Sequence, residues 1–289
     1  MSGTFAFVFN PKAGKKKNFE LNLWLEKIIP KTISYNILEW KSPDDFNEIE
    51  NQLQENNYDV VVACGGDGTV NRVAKTILNT ERSLGIIPLG SGNGLARSLN
   101  IPILPEKAIE LLLSGNQKRI DTASINGHSF FCTAGVGFDA HVGELFASST
   151  TRGFWSYARI SASELLRYSP LQYIIDVDGK TMETEAFLIT ACNAGQWGNN
   201  IYISPEAKMN DGLLHLSVVK PFPILSVAAL GLRLLQKKIH QSNYVETLTG
   251  KKIVITRSTS GPIHFDGEPR RANHKIEIEI IPDSLTVIC

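Results

Sequence analysis

Three short stretches combine glycine with polar residues in a way that suits phosphate binding. They are Asn10–Gly14 (NPKAG), Gly65–Thr69 (GGDGT) and Gly90–Gly94 (GSGNG). Main-chain amides in such loops can point at an anion, and the N-terminus of a following helix adds a favourable dipole. Any one of them alone is typical of an ordinary tight turn. The second stretch lacks the last glycine of GxGxxG, and GxxxxGK[ST] is absent, so neither common phosphate loop is present.

Each glycine stretch follows a strand-like run and precedes a helix-like run. The strand-like runs read TFAFVFN, YDVVVACGG and LGIIPLG, and TVNRVAKTILN after the second has apolar residues at helical spacing. Strands that alternate with helices predict a parallel sheet covered by helices, with ligands at the carboxyl ends of the strands. We therefore expect the three loops to cluster at one edge of the sheet.

The pattern changes near Ile120 to short β-rich runs joined by Asn-Gly and Asp-Gly turns. Two helical insertions interrupt these runs, at Gly143–Tyr168 and Pro223–His240. The sequence predicts an α/β plus β fold with two domains. Residues 1–121 form the α/β domain, and residues 122–289 form a mostly antiparallel β domain.

Composition narrows the class of protein. The formal net charge is zero, from 29 basic and 29 acidic residues, which argues against a nucleic-acid partner. The four cysteines lie far apart and no histidine pair has zinc spacing, so a zinc site and a disulfide framework are not expected. No secretory signal is evident, and no apolar run reaches the roughly 20 residues of a spanning helix. We expect a cytoplasmic protein, peripheral at the inner membrane face at most, and a homodimer stays open.

Seven stretches resemble the diacylglycerol kinase catalytic-domain family, which includes bacterial lipid kinases, eukaryotic diacylglycerol kinases and sphingosine kinases. In order they read NPKAG, CGGDGTVNRV, PLGSGNGLAR, IDTASING, AGVGFDAHV, NDGLLHL and FDGEP, and they cover nearly the whole chain. The resemblance implies an α/β nucleotide domain like that of NAD kinases, followed by a β-sandwich domain. It places the active site in the cleft between the two.

The resemblance also implies roles for individual residues. The implied ATP-binding residues are Asn10, Lys12, Gly14, Gly65, Gly66, Asp67, Gly68, Thr69, Asn71, Gly90, Ser91, Gly92 and Asn93. Glu268 matches the family's catalytic base, Asp67 is the second catalytic residue, and Asp121 belongs to a polar network near the site. Asp211, with the main-chain oxygens of Leu213 and Lys208, matches a magnesium site. Without the resemblance, FDGEP and NDGLL are typical of plain turns.

The implied reaction is transfer of the γ-phosphate of ATP, with Mg²⁺, to the hydroxyl of a lipid at the membrane surface. Diacylglycerol and a sphingoid base are both open as acceptors. A non-catalytic nucleotide- or lipid-binding regulator and an NAD kinase are the alternatives. Asp67 is expected to face the phosphates through Mg²⁺ and its waters. On that hypothesis, Asp67→Asn binds ATP no worse than the wild type when Mg²⁺ is absent.

Two positions depart from the family pattern. Gly94 stands where diacylglycerol kinases have an aspartate, and a small residue there is closer to sphingosine kinases. Trp40 stands near a position that is often threonine in bacterial members, so the adenine pocket is expected to differ by aromatic stacking.

Three further segments have open roles. Lys15–Lys17 form either a solvated turn or a screen for phosphate or anionic headgroups. For the leucine-rich segment Pro223–His240 and for Phe146, Phe154, Trp155 and Tyr157, we expect core packing. Membrane docking of the first and an acyl pocket at the second are the alternatives.

Overall fold

The structure is a computed structural model that describes residues 3–13, 20–42, 45–149 and 154–289, without the side chains of Phe154 and Trp155. Gly14 and Lys15–Lys17 therefore lie outside the described residues. The chain divides into two compact units: unit 1 is Met1–Ile120 with Asp283–Cys289, and unit 2 is Asp121–Pro282. The division into domains at residues 121 and 122 stays a prediction, and no sequence signal indicates that the end of the chain packs with unit 1.

Strands and helices alternate in unit 1. In chain order they are β1 (Thr4–Phe9), α1 (Leu21–Ile28), β2 (Ser34–Glu39), α2 (Phe46–Glu55), β3 (Val60–Gly65), α3 (Asp67–Thr76), β4 (Ser83–Pro88), α4 (Gly94–Ser98) and α5 (Pro105–Ser114). The next strand, β5 (Gln117–Ile125), begins in unit 1 and ends in unit 2.

Unit 2 is rich in strands. They are β6 (His128–Phe130), β7 (Thr133–Gly137), β8 (Leu171–Val177), β9 (Lys180–Ala186), β10 (Leu188–Cys192), β11 (Gln196–Gly198), β12 (Ile201–Tyr202), β13 (Leu214–Val219), β14 (Val245–Gly250), β15 (Lys252–Arg257), β16 (Gly261–Phe265), β17 (Glu268–Ala272) and β18 (Lys275–Ile288), the last of which ends in unit 1. The helices are α6 (Phe138–Ser148), α7 (Phe154–Glu164) and α8 (Val227–Leu235), and one-turn 3-10 helices lie at Ile224–Ser226 and Ile239–Gln241.

The strands of unit 1 form a parallel sheet in the order β2, β1, β3, β4, and the end of β18 pairs in parallel with β4. Every residue of β3 and β4 is buried, because helices cover a sheet of this kind on both faces. The chain passes from β1 to β2 on one side and later to β3 on the other. A topological switch point, where open α/β sheets bind ligands, therefore lies between the carboxyl ends of β1 and β3.

Unit 2 is an antiparallel β-sandwich. One sheet has the order β14, β13, β10, β7, β16, β17, and the facing strands follow the order β18, β15, β8, β9. Both layers contribute to one buried core, for example Val136 and Leu216 from the first and Ile175 and Ile255 from the second. The predicted α/β plus β-sandwich fold is thus confirmed.

Three hairpin turns of unit 2 have positive φ at both central residues. They are Asn126–Gly127 (φ 47° and 80°), Asp178–Gly179 (51° and 85°) and Asp266–Gly267 (48° and 82°). This geometry matches the right-handed twist of the flanking strands and favours Asn-Gly and Asp-Gly pairs. The turns predicted from these dipeptides are confirmed.

The expectation of core packing is wrong for one side of the leucine-rich segment. In the other segment it can be judged only at Phe146 and Tyr157, because the side chains of Phe154 and Trp155 lie outside the described residues. In α8 only Leu230 is buried, whereas Leu232 is 55% exposed and Leu225, just before the helix, is 91% exposed. Phe146 is half-buried and packs edge to face on Tyr157, which is itself 37% exposed. A short helix on a sandwich buries only one face, so its other apolar residues remain in water. No helix within the described ranges is long and apolar enough to cross a bilayer.

Candidate functional site

The three glycine loops of unit 1 meet at one edge of the sheet, as predicted. Main-chain hydrogen bonds join neighbouring strand ends there, from Asn10 N to Cys64 O (3.0 Å) and from Leu89 N to Gly65 O (2.8 Å). The side chain of Asn10 donates from Nδ2 to Thr69 Oγ1 at 3.3 Å, which joins the first loop to the second. The loops after β1 and β3 therefore flank the switch point.

Asp67 ties the second loop to the third. Its Oδ2 accepts a hydrogen bond from Asn93 N at 2.9 Å, and its Oδ1 accepts one from Gly94 N at 2.6 Å. These two amides open helix α4, whose first N–H groups have no partner inside the helix. The sequence did not indicate this partner. A carboxylate has about four acceptor positions, so contacts of Asp67 with a metal-bound water remain open.

Three glycines of the two loops leave no room for a side chain, two because the loops pack directly on each other and one because of a contact within its own loop. A Cβ at position 90 would lie 2.7 Å from Gly66 Cα, and one at position 92 would lie 2.8 Å from Asp67 Oδ2. A Cβ at position 65 would lie 2.4 Å from Thr69 Oγ1. Position 68 differs, since Gly68 is exposed and a Cβ there would meet nothing within 4 Å. Gly68 therefore borders open space and is not needed for the packing of the two loops.

The predicted ATP-binding residues include both buried and exposed side chains. Thr69, Asn71 and Asn93 are 3–4% exposed, and Asn93 donates from Nδ2 to Gly90 O at 2.9 Å. Lys12 and Ser91 are exposed. The buried side chains shape the loops, whereas the exposed ones can reach a bound ligand.

Trp40, at the carboxyl end of β2, has packing partners within the protein. Its ring lies 4.9 Å from that of Phe46, and the Arg72 guanidinium lies 4.4 Å from the Phe46 ring and 5.4 Å from the Trp40 ring. Such cation–π contacts orient the guanidinium. Stacking of Trp40 on an adenine stays a prediction.

In unit 2, Asp266 anchors the turn that precedes Glu268. Its carboxylate accepts hydrogen bonds from three successive main-chain amides, at 2.7 Å from Phe131, 2.8 Å from Cys132 and 3.0 Å from Thr133. Glu268 opens β17 directly after this turn and is exposed. Within the described part of the chain, Glu268 has no hydrogen bond or ion pair that would occupy its carboxylate. A rigid turn thus presents a free carboxylate to solvent.

The turn that contains Asp211 is held by Asp121. The Asp121 side chain is 2% exposed, and its Oδ2 accepts a hydrogen bond from Gly212 N at 2.8 Å. Asp211 Oδ1 accepts one from Leu213 N at 3.1 Å, and Asp211 Oδ2 lies 3.6 Å from His215 Nε2. A partly exposed carboxylate with main-chain oxygens fits Mg²⁺ in donor type. The described residues contain no cluster of three or more His, Cys, Asp or Glu side chains placed for a metal, so the magnesium site stays a prediction.

The structure contains a buried polar cluster around Asp139 that the sequence did not predict. His264 Nε2 lies 2.8 Å from Asp139 Oδ2, Thr190 Oγ1 donates to the same oxygen at 2.8 Å, and Ala140 N donates to Oδ1 at 2.8 Å. Burial lowers the pKa of His264, but the charge and hydrogen bond of Asp139, with the charge of Asp266, outweigh it and raise that pKa. Asp139 belongs to a quoted motif and His264 directly precedes another, yet no spacing rule connects residues so far apart in the chain.

The fold and the loops together define a class: a parallel α/β unit with three glycine loops at one sheet edge, followed by an antiparallel β-sandwich. Residues 4–125 match the diacylglycerol kinase catalytic domain, and residues 132–289 match the YegS C-terminal NAD kinase beta sandwich-like domain. The chain therefore belongs to the family of diacylglycerol kinases and YegS-like lipid kinases.

Individual proteins agree with this assignment. The chain is 31% identical over 260 residues to a "Probable lipid kinase YegS-like" of Pectobacterium atrosepticum, covering 85% of this chain and 83% of that protein. It is 28% identical over 221 residues to "Diacylglycerol kinase" of Bacillus subtilis, covering 73% and 71%. A crystal structure of a diacylglycerol kinase from Bacillus anthracis strain Sterne superposes with a TM-score of 0.77 at 24% identity, covering 99% of this chain and 96% of that one. That last likeness shows the fold.

Proposed function

We propose that this protein is an ATP-dependent lipid kinase that transfers the γ-phosphate of ATP to the hydroxyl of a lipid. The observation that carries the proposal is the bond of Asp67 to the amides of Asn93 and Gly94. It joins two glycine loops beside the switch point of a parallel sheet, where α/β proteins bind nucleotides. Membership of the lipid kinase family and the name of the Bacillus subtilis relative support the same activity.

The loops of unit 1 are proposed to hold the triphosphate. Lys12 supplies a positive charge from an exposed position, and Ser91 supplies an exposed hydroxyl. Gly68, in the first turn of α3, is exposed and borders open space, and the helix dipole favours an anion there. The hydrogen bonds of Asp67 and Asn93 keep these groups in place before ATP arrives.

Magnesium belongs to the proposal as the ion that neutralises phosphate charge when ATP is bound. The carboxylate of Asp67 would hold it through water, and Asp211 with main-chain oxygens of Leu213 and Lys208 would hold a structural ion. Both sets consist of hard oxygen donors, which Mg²⁺ prefers.

Glu268 is proposed as the general base. The lipid hydroxyl oxygen forms a bond to the γ-phosphorus while the bond from that phosphorus to the bridging oxygen of ADP breaks. The hydroxyl proton passes to the Glu268 carboxylate, which must lie within hydrogen-bond distance of the bound hydroxyl. The three hydrogen bonds that main-chain amides donate to Asp266 reduce the motion of the turn that positions this base. That the active site lies between the two units stays a prediction.

The acceptor is proposed to be diacylglycerol or a sphingoid base. Gly94 has no side-chain carboxylate with which to contact a lipid hydroxyl, and its main-chain N–H donates a hydrogen bond to Asp67. We infer a cytoplasmic enzyme that meets its substrate at the inner membrane face.

Transfer of labelled phosphate from ATP to lipids tests the proposal. The acceptors would be diacylglycerol, monoacylglycerol, sphingosine, ceramide and undecaprenol, with and without Mg²⁺. Glu268→Gln is expected to lower kcat at least about hundredfold. Glu183→Gln, an exposed carboxylate on β9 of the same unit, is the matched control and is expected to retain wild-type kcat.

Two outcomes would overturn the proposal. If ATP binds but no lipid in the panel is phosphorylated, the protein is a nucleotide-binding regulator. If Glu268→Gln keeps full activity, the proton acceptor is a different group. Preference for sphingosine over diacylglycerol would assign Gly94 to acceptor selection.

A further inference from the structure

Helix α8 and the 3-10 turn before it are apolar on two sides. The inner side packs against the protein: Leu230 is 8% exposed, and Leu234 packs on the buried cluster that contains Phe187 and Val219. The opposite side faces water. We call it the outer stripe: Ile224, Leu225, Ala228, Ala229, Leu232 and Leu235.

The outer stripe is far more exposed than ordinary apolar residues. Leu225 is 91% exposed, and Ile224, Leu232 and Leu235 are 52%, 55% and 59% exposed. Single exposed leucines need no explanation, but a contiguous row on one helix face marks an interaction surface. Spacings of seven and three residues bring Leu225, Leu232 and Leu235 onto one side of the helix.

Local bonds define the orientation of the helix. The 3-10 turn is closed by a bond from Ser226 N to Pro223 O at 2.8 Å. At the other end Lys237 adopts φ 60°, and Lys238 N donates to Arg233 O at 2.8 Å, which ends the helix in a Schellman-type turn. Rotation of the outer stripe into the protein would expose Leu230 and Leu234, so the stripe stays in water unless a partner covers it.

The charge around the stripe indicates the partner. From Pro221 to Gln241 the sequence contains Arg233, Lys237 and Lys238 but no aspartate or glutamate. Lys238 is exposed, and Lys237 is exposed with its Nζ 4.3 Å from the Tyr202 ring centre. A helix with exposed leucines on one side and lysines at its end is typical of binding in the plane of an anionic bilayer surface. A symmetric contact with a second copy would instead bring these like charges together, and this segment has no acidic residue to pair with them.

We propose that the outer stripe docks this protein on an anionic phospholipid bilayer, with Leu225 and Leu232 entering the headgroup region and Lys238 contacting lipid phosphates. The choice of partner rests on the proposed lipid kinase function, which requires access to a substrate held in a bilayer. The surface itself is defined by the exposure and charge of unit 2.

Co-sedimentation with vesicles tests the docking surface. The full chain would be mixed with phosphatidylcholine vesicles, with or without phosphatidylglycerol. Leu225→Gln/Leu232→Gln is expected to lower the fraction bound to anionic vesicles by about tenfold or more. Leu23→Gln/Leu104→Gln is the matched control, because these leucines are 59% and 61% exposed outside the stripe. Lys238→Glu should weaken binding only to the vesicles that contain phosphatidylglycerol, and added salt should have the same effect.

The results separate docking from catalysis. The leucine variant should phosphorylate a short-chain diacylglycerol in detergent micelles as fast as the wild type. Equal vesicle binding by wild type and leucine variant would overturn the docking proposal while leaving the kinase proposal intact. If the wild-type protein binds vesicles but has no kinase activity, the kinase proposal is overturned and the docking proposal stands. A wild-type dimer that becomes monomeric in the leucine variant, in the absence of lipid, would assign the stripe to a second copy.

Discussion

The carboxylate of Asp67 and the main-chain amide of Gly94 are 2.6 Å apart, and the same carboxylate binds the amide of Asn93 at 2.9 Å. These two hydrogen bonds between the loops give Asp67 a structural role in addition to any contact with metal-bound nucleotide. It also explains why an acidic residue is compatible with a glycine-rich anion loop. Its negative charge is directed toward N–H donors at the start of a helix, where the dipole favours it.

Asp67→Asn is therefore expected to weaken ATP binding even when Mg²⁺ is absent, which revises the hypothesis drawn from the sequence. An asparagine can accept from only one of the two amides and turns an NH₂ group toward the other. We expect a loss of about 1–3 kcal/mol in the free energy of unfolding. Chemical denaturation and ATP titration without metal would measure both effects.

Asp178→Asn is the matched control for that variant. Asp178 also accepts main-chain amides, from Lys251 and Lys252, but in a hairpin of unit 2. Its replacement should lower stability and leave the affinity for ATP unchanged. If Asp67→Asn binds metal-free ATP as tightly as the wild type, the loop-anchoring role is wrong.

The glycines at positions 90 and 68 are expected to respond in opposite ways to alanine. Gly90→Ala places a Cβ 2.7 Å from Gly66 Cα and 2.8 Å from Asn93 Oδ1, and should cost about 1–3 kcal/mol of stability. Gly68→Ala meets open space in a helix and should raise stability by about 0.5–1 kcal/mol. Thermal unfolding measures the difference. A higher KM for ATP in the more stable Gly68→Ala would identify this position as a phosphate contact.

Asp266 and Glu268 are two residues apart, but their replacement should have different effects on stability. Asp266→Ala leaves three main-chain amides without their acceptor and should cost about 2–4 kcal/mol of stability as well as activity. Glu268→Gln changes an exposed group and should leave the midpoint of thermal unfolding at the wild-type value while activity is lost. Parallel measurement of unfolding and kcat would distinguish the anchor from the base, and equal destabilisation by both changes would count against this assignment.

The buried pair of His264 and Asp139 predicts a pH dependence of stability. The pKa of His264 is raised in the folded state, so the stability that its protonation contributes is fully present below the unfolded pKa of about 6.5. That stability is lost as the pH rises through the higher folded pKa. The loss amounts to about 1.4 kcal/mol for each pKa unit by which the folded value exceeds the unfolded one.

Denaturant unfolding at several pH values would measure this loss. His264→Gln should remove the slope above pH 6.5, whereas His274→Gln, an exposed histidine of unit 2, should keep it. Titration of the His264 ring by NMR gives the folded pKa directly. A folded pKa below the ordinary histidine value would show that burial outweighs the Asp139 carboxylate.

The sequence by itself determined the fold and the location of the glycine loops, because both depend on local signals. Alternating strand-like and helical runs predicted the parallel sheet, and Asn-Gly and Asp-Gly pairs predicted the hairpin turns. The leucine-rich run of Pro223–His240 predicted a helix, but it could not show which side the protein covers. The spacing of apolar residues along a helix is the same whether they face a core or a bilayer.

Only the tertiary structure decided which polar groups meet. The bonds of Asp67 to Gly94, of Asp266 to Phe131 and of His264 to Asp139 connect residues that are 27, 135 and 125 positions apart. Their partners are main-chain amides or side chains brought close by strand pairing, and neither leaves a periodic or spaced signal in the chain. The residue types that support this site could therefore be predicted from the sequence, whereas their partners were set by the packing of loops and sheets.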